Sequence, residues 1–403
     1  MSKKKISKIL KIVTFICVVI LVIELAYIGF FIEKKSIYFD GINAVISVEN
    51  GLVTVGSNNN NEQHFEKAKI TKYNLKKEKK MEVLYNKGYN GVFFDVLEDE
   101  NSNLVAVGSY EATKEENEKG IRTALIVKYD KEGNILYEAD FQLLGNSKYT
   151  NVYEVDDGYI VVGQSVYEDM IVGLSEDGGA YIAKYNKELE VEWMEHYGDS
   201  KTAIYNDLVI DSGKIYAVGK TDSVKGVVAC YDLDGKLLKS VEYENVDNLG
   251  FTGIVIKDNK LFVSGGKVIE NNQTDSDGLI VQYDKELNYI KDVTYDNKGV
   301  ERFNQLVIDE EDDVVAIGTV SLLDKANDKD GKAFNHDGVI AKYDKDLEKV
   351  MIVPYGDDRD DYFTDIIIFE DNYLVVGYSS YEDGSYLSKF ITYSYALKTL
   401  GVE

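Results

Sequence analysis

The side chains best able to do chemistry are sparse in this chain. Histidine occurs three times, as His64, His196 and His336, and no two lie close in sequence. Neither an HExxH pattern nor a Cys/His cluster is present, so a transition-metal centre, which needs several such donors at one point, is not expected. Of the two cysteines, Cys17 sits in an apolar run and Cys230 replaces a lysine found before Tyr129 and Tyr185. No base accompanies Cys230, which reads as a strand residue rather than a nucleophile. Arginine is limited to Arg122, Arg302 and Arg359, scattered where a carboxylate-binding hydrolase site would gather them. The one cofactor suggested is Ca²⁺. In the acidic loop at 324–337 (DKANDKDGKAFNHD), Asp328, Asp330, Gly331 and Asp337 fall at positions 3, 5, 6 and 12 of a calcium loop. Hard oxygen donors with a glycine bend suit that ion, but position 1 is Ala326 and position 12 is Asp rather than Glu. A solvated acidic loop is the simpler reading, and the acid runs at 309–313 and 357–361 read as charged turns.

The chain as a whole is acidic. Over 403 residues, 45 Lys and Arg face 71 Asp and Glu, a net charge of −26. Such a surface repels phosphate backbones, which argues against nucleic acid as a partner. An apolar share of 44% fills a core and excludes a disordered chain. One proline excludes proline-rich designs, and two cysteines exclude a disulfide framework.

Residues 1–11 carry Lys3, Lys4, Lys5, Lys8 and Lys11, and the following stretch 12–32 is apolar apart from Glu24. About 20 apolar residues cross a bilayer as a helix, and flanking lysines stay on the cytoplasmic side. A cleaved signal peptide fits less well, because Glu24-Leu25-Ala26 is a poor cleavage site. The expectation is a single-pass anchor in the cell membrane, a short linker at 33–41, and everything from 42 to 403 outside the cytoplasm.

That outer region is repetitive. An apolar segment ending in glycine recurs as LVTVG (Gly56), LVAVG (Gly108), YIVVG (Gly163), IYAVG (Gly219), LFVSG (Gly265), VVAIG (Gly318) and YLVVG (Gly377). Another apolar strand precedes each, for example at 151–155, 207–210 and 365–369, joined by Asp-, Asn- or Gly-rich turns as in hairpins. A third strand follows, ending at Tyr73, Tyr129, Tyr185, Tyr231, Tyr283, Tyr343 and Tyr393, six of them followed by Asp or Asn. A fourth follows at positions such as 135–141, 191–197, 237–241 and 349–353. From each Tyr to the next repeat's Gly the spacing is 34 or 35 residues, whereas from each Gly to its own Tyr it ranges from 12 to 25. The blade body is fixed and one connection, between second and third strands, is free to vary. Seven such units predict an all-β fold, a seven-bladed β-propeller of four-stranded antiparallel blades, preceded by one transmembrane helix. The last repeat has enough chain for its own fourth strand and the first supplies its own first strand, so the ring is expected to close by side-chain packing. Residues 36–39 offer an alternative edge strand for the last blade.

The unit DGYIVVG…AYIAKYN…VEWMEHYG, taken from 157–198, resembles the bacterial and archaeal extracytoplasmic WD40-like β-propeller repeats that end in an aromatic-then-YG strand. The third repeat matches best, with Trp193 and Tyr197-Gly198; the sixth keeps Tyr355-Gly356. The resemblance implies a propeller outside the cytoplasm and no single activity. Ser175-Glu176-Asp177-Gly178-Gly179 shares the S-x-D-x-G core of the sialidase Asp-box but lacks its ending, and it reads as a plain turn. The repeated Tyr are expected to pack between blades, while Tyr110, Tyr167 and Tyr381 are expected in variable loops as contact anchors. With no catalytic constellation, the leading expectation is a tethered module that binds a protein or envelope component through its variable loops. A glycan or small-ligand receptor, aided by Ca²⁺ and using the central channel, is the alternative, with a hydrolase behind it.

Overall fold

In a computed structural model the described residues are 41–58, 66–112, 122–141, 146–166, 179–197, 203–221, 225–243, 248–269, 272–297, 299–321, 336–356, 359–380, 386–394 and 399–402. The apolar stretch 12–32 and the segment 36–39 lie outside them, and among the described residues no helix is long and apolar enough to cross a membrane. The described residues form seven four-stranded antiparallel sheets at 42–84, 89–141, 146–197, 204–242, 248–295, 301–355 and 360–402. Every sheet follows chain order as a simple meander. First strands of neighbouring blades touch one another all round the ring, and fourth strands form the rim.

The seven marker glycines share one physical cause. Each first strand carries a β-bulge opposite its glycine: Phe93 pairs with Gly108 and Asp95 with Val107, leaving Phe94 as the extra residue. The bulge presses a first-strand carbonyl against the glycine Cα. A Cβ there would lie 1.8 Å from the Gly41 carbonyl at Gly56, 1.9 Å from Val92 O at Gly108 and 1.8 Å from Arg302 O at Gly318. No side chain fits, so the constraint is close backbone approach rather than turn geometry.

The bulged residue in turn reaches the next blade. Asn43 Nδ2 donates to Phe93 O at 2.7 Å, Thr150 Oγ1 to Tyr205 O at 2.7 Å, and Asn206 Nδ2 to Phe251 O at 2.6 Å. Thr252, Asn304 and Thr364 continue the series to Phe303 O, Phe363 O and Ile42 O at 2.7, 2.9 and 3.0 Å. The last of these joins blade seven to blade one, so the ring closes with the bond that links its other blades. Thr399–Val402 is the seventh blade's own fourth strand, and Ile42–Val48 the first blade's own first. Only blade two breaks the series, with Phe94 at the bulge lying under the Lys148 ammonium.

The repeated tyrosines are all buried. Tyr129 meets Phe93 and Tyr343 meets Phe303 edge to face, while Tyr185 shares a 2.7 Å hydroxyl bond with Tyr149 and Tyr231 a 2.8 Å bond with Tyr205. The Asp or Asn that follows bends the chain into the fourth strand: Asp130 Oδ1 accepts from the Glu132 and Asn134 amides, and Asn186 Oδ1 from those of Glu188 and Glu190. Four residues after the Tyr the backbone turns left-handed, at Gly133 and Gly235 but also at Leu189, Leu287 and Leu347. Those leucines are buried, so the apolar contact offsets the strain of the left-handed turn.

The first strands run longer than expected: Asn146–Val155, Ile204–Asp211 and Asp360–Phe369. The bulge interrupts the alternation of side chains, so the residues before it do not read as strand. The fourth strands Ile135–Phe141 and Val191–Tyr197 agree with expectation, while Leu237–Glu242 and Lys349–Tyr355 extend it.

Two substitutions separate these contributions. Gly163→Ala would place its Cβ 2.0 Å from Lys148 O and is expected to lower stability by ~2–3 kcal/mol, whereas Thr364→Val, which removes the hydroxyl shared between Ile42 O across the closing seam and Val376 O in its own blade, costs ~1 kcal/mol. Denaturant unfolding of both variants checks the order; an alanine as stable as the parent would refute the close-approach account.

Candidate functional site in the axial channel

The residue just past each bulge lies on the innermost strand, at the same place in every blade. In chain order these are Ala44, Asp95, Asn151, Asp207, Gly253, Gln305 and Asp365. Three carboxyls therefore share one belt. Each also caps the neighbouring blade: Asp95 Oδ2 accepts from the Val152 amide at 3.0 Å, Asp207 Oδ2 from Ile254 at 2.9 Å, and Asp365 Oδ2 from Val45 at 2.8 Å. Gln305 Nε2 donates to Asp207 Oδ2 at 3.3 Å, passing in front of Gly253, where a Cβ would sit 2.3 Å from Gln305 Oε1.

Burial pushes all three carboxyls up, Asp95 to about 8, Asp365 to about 7 and Asp207 to about 6. For Asp95 the Asp365 and Asp207 carboxylates add to this across the axis, and for Asp365 the Asp207 carboxylate does so. Backbone amide bonds oppose the rise without cancelling it. Nearer the variable-connection end, the residue before the aromatic that faces the marker glycine is Lys148, before Tyr149, in blade three and Arg302, before Phe303, in blade six. Burial, then Arg122 and Lys220, holds the Lys148 ammonium below its usual value, and Arg302 Nε is buried with no hydrogen bond. Two buried cations, Lys148 and Arg302, thus stand on first strands nearer the variable-connection end than the carboxyl belt.

Two acidic groups prove structural. Asp309, Glu311 and Asp313 have carboxylate oxygens close enough to share a metal ion, but the Lys342 ammonium already lies 2.8, 3.3 and 2.9 Å from them, and Tyr373 OH donates to Asp309 at 2.5 Å. The run 309–313 is a turn as expected, built around a buried ion pair. Blade two repeats the device with Asp99, Lys128 and Tyr159, each contact 3.0 Å. Burial raises the Asp99 carboxyl, but bonds from Asn103, Lys128 and Tyr159 outweigh it and hold the group at about 2.

Of the calcium candidates, Asp328 and Asp330 lie outside the described residues, and Asp337 is buried at the start of the strand His336–Tyr343. His336 therefore heads a strand rather than sitting in a loop. His196 is on a fourth strand, stacked near Tyr181; His64, Tyr167 and Tyr381 lie outside the described residues. Tyr110 corrects the expectation of an exposed loop anchor: it is buried in Leu104–Glu111, and its hydroxyl donates to Asp140 at 2.7 Å. Asp360 and Asp361 likewise begin a strand instead of ending a charged turn; Asp361 is buried with Lys389 at 3.2 Å. Cys230 is a buried strand residue, its thiol pushed up by burial. The belt acids escaped sequence reading, although an acid two residues after the aromatic of an apolar strand recurs in Phe93-Phe94-Asp95, Tyr205-Asn206-Asp207 and Phe363-Thr364-Asp365.

The belt has a pH signature. Its carboxyls titrate higher in the folded chain than the usual 3.8, so the folded state binds more protons than the unfolded state between about pH 4 and pH 8. Their contribution to stability is fully present below about pH 4 and is lost as pH rises through that window. Asp95→Asn keeps an acceptor for the Val152 amide and removes the charge. The variant is expected to match the parent near pH 4 and to melt higher at pH 8; a pH-independent difference would contradict the assignment.

The sequence matches no protein-family model and no curated protein. Solved structures are similar in fold. The WD40 β-propeller domain of Doa1 aligns with a TM-score of 0.50 at 10% identity, over 87% of this chain and 93% of that one. Pyrococcus horikoshii acylaminoacyl peptidase aligns with a TM-score of 0.50 at 12% identity, over 90% of this chain and 52% of that one. The β-propeller domain of the Trilobed protease from Pyrococcus furiosus, described as having an open velcro topology, gives 0.48 at 12% identity over 91% and 97%. The first two likenesses establish the propeller fold, and the fold alone.

Proposed function

We propose that the protein is a membrane-tethered, outward-facing docking platform that holds a protein partner on the face bearing its second-to-third-strand connections. The observation that carries this reading is the confinement of length variation. Gly-to-Tyr spacings run from 12 to 25 residues, while the remainder of each repeat is constant to a single residue. In every blade the strands bounding the variable connection end on the same side of the sheet, so all seven connections issue from one face, the one in blade five between the extended strands Lys260–Ile269 and Asn272–Asp284. The apolar stretch 12–32 after a lysine cluster supports the tether, and the likeness to extracytoplasmic YG-ending repeats supports an envelope setting. A net charge of −26 favours a neutral or basic partner over nucleic acid or anionic polymers.

A second reading rests on the channel. The Asp95, Asp207 and Asp365 belt, with Lys148 and Arg302 nearer the variable-connection end, suits a small polar ligand, such as a sugar, entering along the axis. A hydrolase is the weakest reading: Arg122 is engaged by Ser109 at 3.2 Å and lies 3.9 Å from Glu111, and it gathers no second arginine.

Crosslinking of the intact protein in its native envelope, followed by mass spectrometry, tests the docking reading. A recurrent partner is expected through segments such as 111–122 and 322–337. Shortening 113–121 and 322–335 is expected to abolish that crosslink while the thermal unfolding midpoint is kept. Retention of the partner after both deletions would exclude the loop face; absence of any partner, with a melting rise on addition of a sugar panel, would transfer the function to the channel.

A further inference from the structure

The seam between blades five and six holds an acid cluster whose most buried member, Glu301, forms no ion pair among the described residues. Asp277 lies within the third strand of blade five, Asn272–Asp284, Asp296 lies in the connection out of that blade, and Glu301 begins the first strand of blade six. One carboxylate oxygen from each lies within 4.8 Å of the others. Asp277 and Glu301 are 7% and 0% exposed, whereas Asp296 is exposed and opens the cluster to solvent.

Glu301 supplies the second, independent observation. Its Oε2 accepts from the Asn297 amide at 3.1 Å, but its buried Oε1 has no hydrogen-bond partner. A fully buried carboxylate oxygen left bare is costly unless a proton or a cation joins it. Burial, with Asp277 and Asp296 adding to it against the Asn297 and Gly299 amide bonds, pushes the Glu301 carboxyl up to about 7.

The next seam shows what a balanced version looks like. Asp361 stands two residues before Phe363, as Glu301 stands two before Phe303. There the Lys389 ammonium is 3.2 Å from the carboxylate and Ser379 donates to it. Lys389 pairs with Gly377 across the sheet; its counterpart against Gly318 in blade six is Val339. The same acid position therefore has a lysine in one blade and a valine in the other.

The surrounding backbone is already fixed. Ser276 N donates to Gly299 O at 3.0 Å, Ser276 Oγ to Glu301 O at 3.1 Å, and Val300 N to Ser321 Oγ at 2.7 Å. A Cβ at Gly299 would fall 2.0 Å from Ser321 O and 3.0 Å from Glu301 Oε1, so glycine keeps the space beside that oxygen clear.

We propose that Asp277, Asp296 and Glu301 form a divalent-cation site, with Ca²⁺ as its ion, clamping blades five and six on the variable-connection face. Hard carboxylate oxygens at a solvent-open seam suit Ca²⁺, which completes its six to eight ligands with water and accepts irregular geometry more readily than Mg²⁺. The site is distinct from the acidic loop at 324–337, although Asp337 holds in blade six the position that Asp277 holds in blade five, before Gly338 and Gly278 respectively.

Calorimetric titration of the chelator-stripped full chain with CaCl₂, with melting followed in parallel, tests the assignment. One ion is expected to bind and raise the melting temperature. Glu301→Gln and Asp296→Asn are each expected to weaken binding roughly tenfold or more. The second, at an exposed position, serves if the first does not fold. Asp328→Asn with Asp330→Asn is expected to leave affinity unchanged. Absence of Ca²⁺ binding, its survival in both seam variants, or its loss in the loop variant would overturn the proposal.

Discussion

The contact on which the whole ring depends is a backbone collision avoided. In each blade the first strand carries one residue too many, and its bulge drives a carbonyl onto a second-strand glycine. That approach turns the bulged side chain toward the adjacent blade, where Asn or Thr donates to the next first-strand carbonyl. Glycine, bulge and bridge form one unit, because a Cβ at the glycine would push the first strand away and aim the donor elsewhere. Ring closure follows without a shared blade. Thr364 and Asp365 reach Ile42 and Val45 as their counterparts reach the next blade elsewhere, and Phe390 meets Tyr73 edge to face.

Charge is sorted by depth. At blades two and six a buried lysine is held by carboxylates and a tyrosine hydroxyl, a network whose members are mutually satisfied. On the axis, Asp207 and Asp365 each accept two backbone amides, one from the next residue and one from the neighbouring blade, yet burial raises all three carboxyls, and repulsion between carboxylates adds to this at Asp95 and Asp365. The first arrangement fixes neighbouring blades together. The second leaves acceptor capacity directed at the channel, which is the chemical opening for a ligand.

Much of the architecture was legible because it repeats. Seven glycines and seven tyrosines at steady spacing specify the strands between them, and their uniform burial follows from their place at blade seams. The belt was not legible, because the bulge shifts the side-chain alternation by one and makes the residues before Asp95, Asp207 and Asp365 read as loop. Tyr110 misled for a related reason. Its place just beyond the Gly108 marker suggests a loop, but the second strand continues to Glu111 and buries the ring beside Tyr85. The seam acids at 277, 296 and 301 are separated by chain length and meet only because adjacent blades do, so no local motif could announce them.

Departures from the repeat are therefore where individuality resides. A seven-fold body needs the glycine, the bulge and the tyrosine in each blade, and they are present in all seven. It does not need an acid past the bulge, and only three blades have one. Nor does it need Phe94 in place of a donor, or an acid before Phe303 without the lysine that accompanies its counterpart in blade seven. Asp95 shows how the two demands are reconciled. At the seam where Phe94 cannot donate, the Asp95 carboxylate still caps Val152, holding blades two and three together while placing a charge on the axis. A structural bond is thus kept by a residue that also equips the channel, and the symmetry of the ring is broken at the cost of a carboxyl held partly protonated near neutral pH.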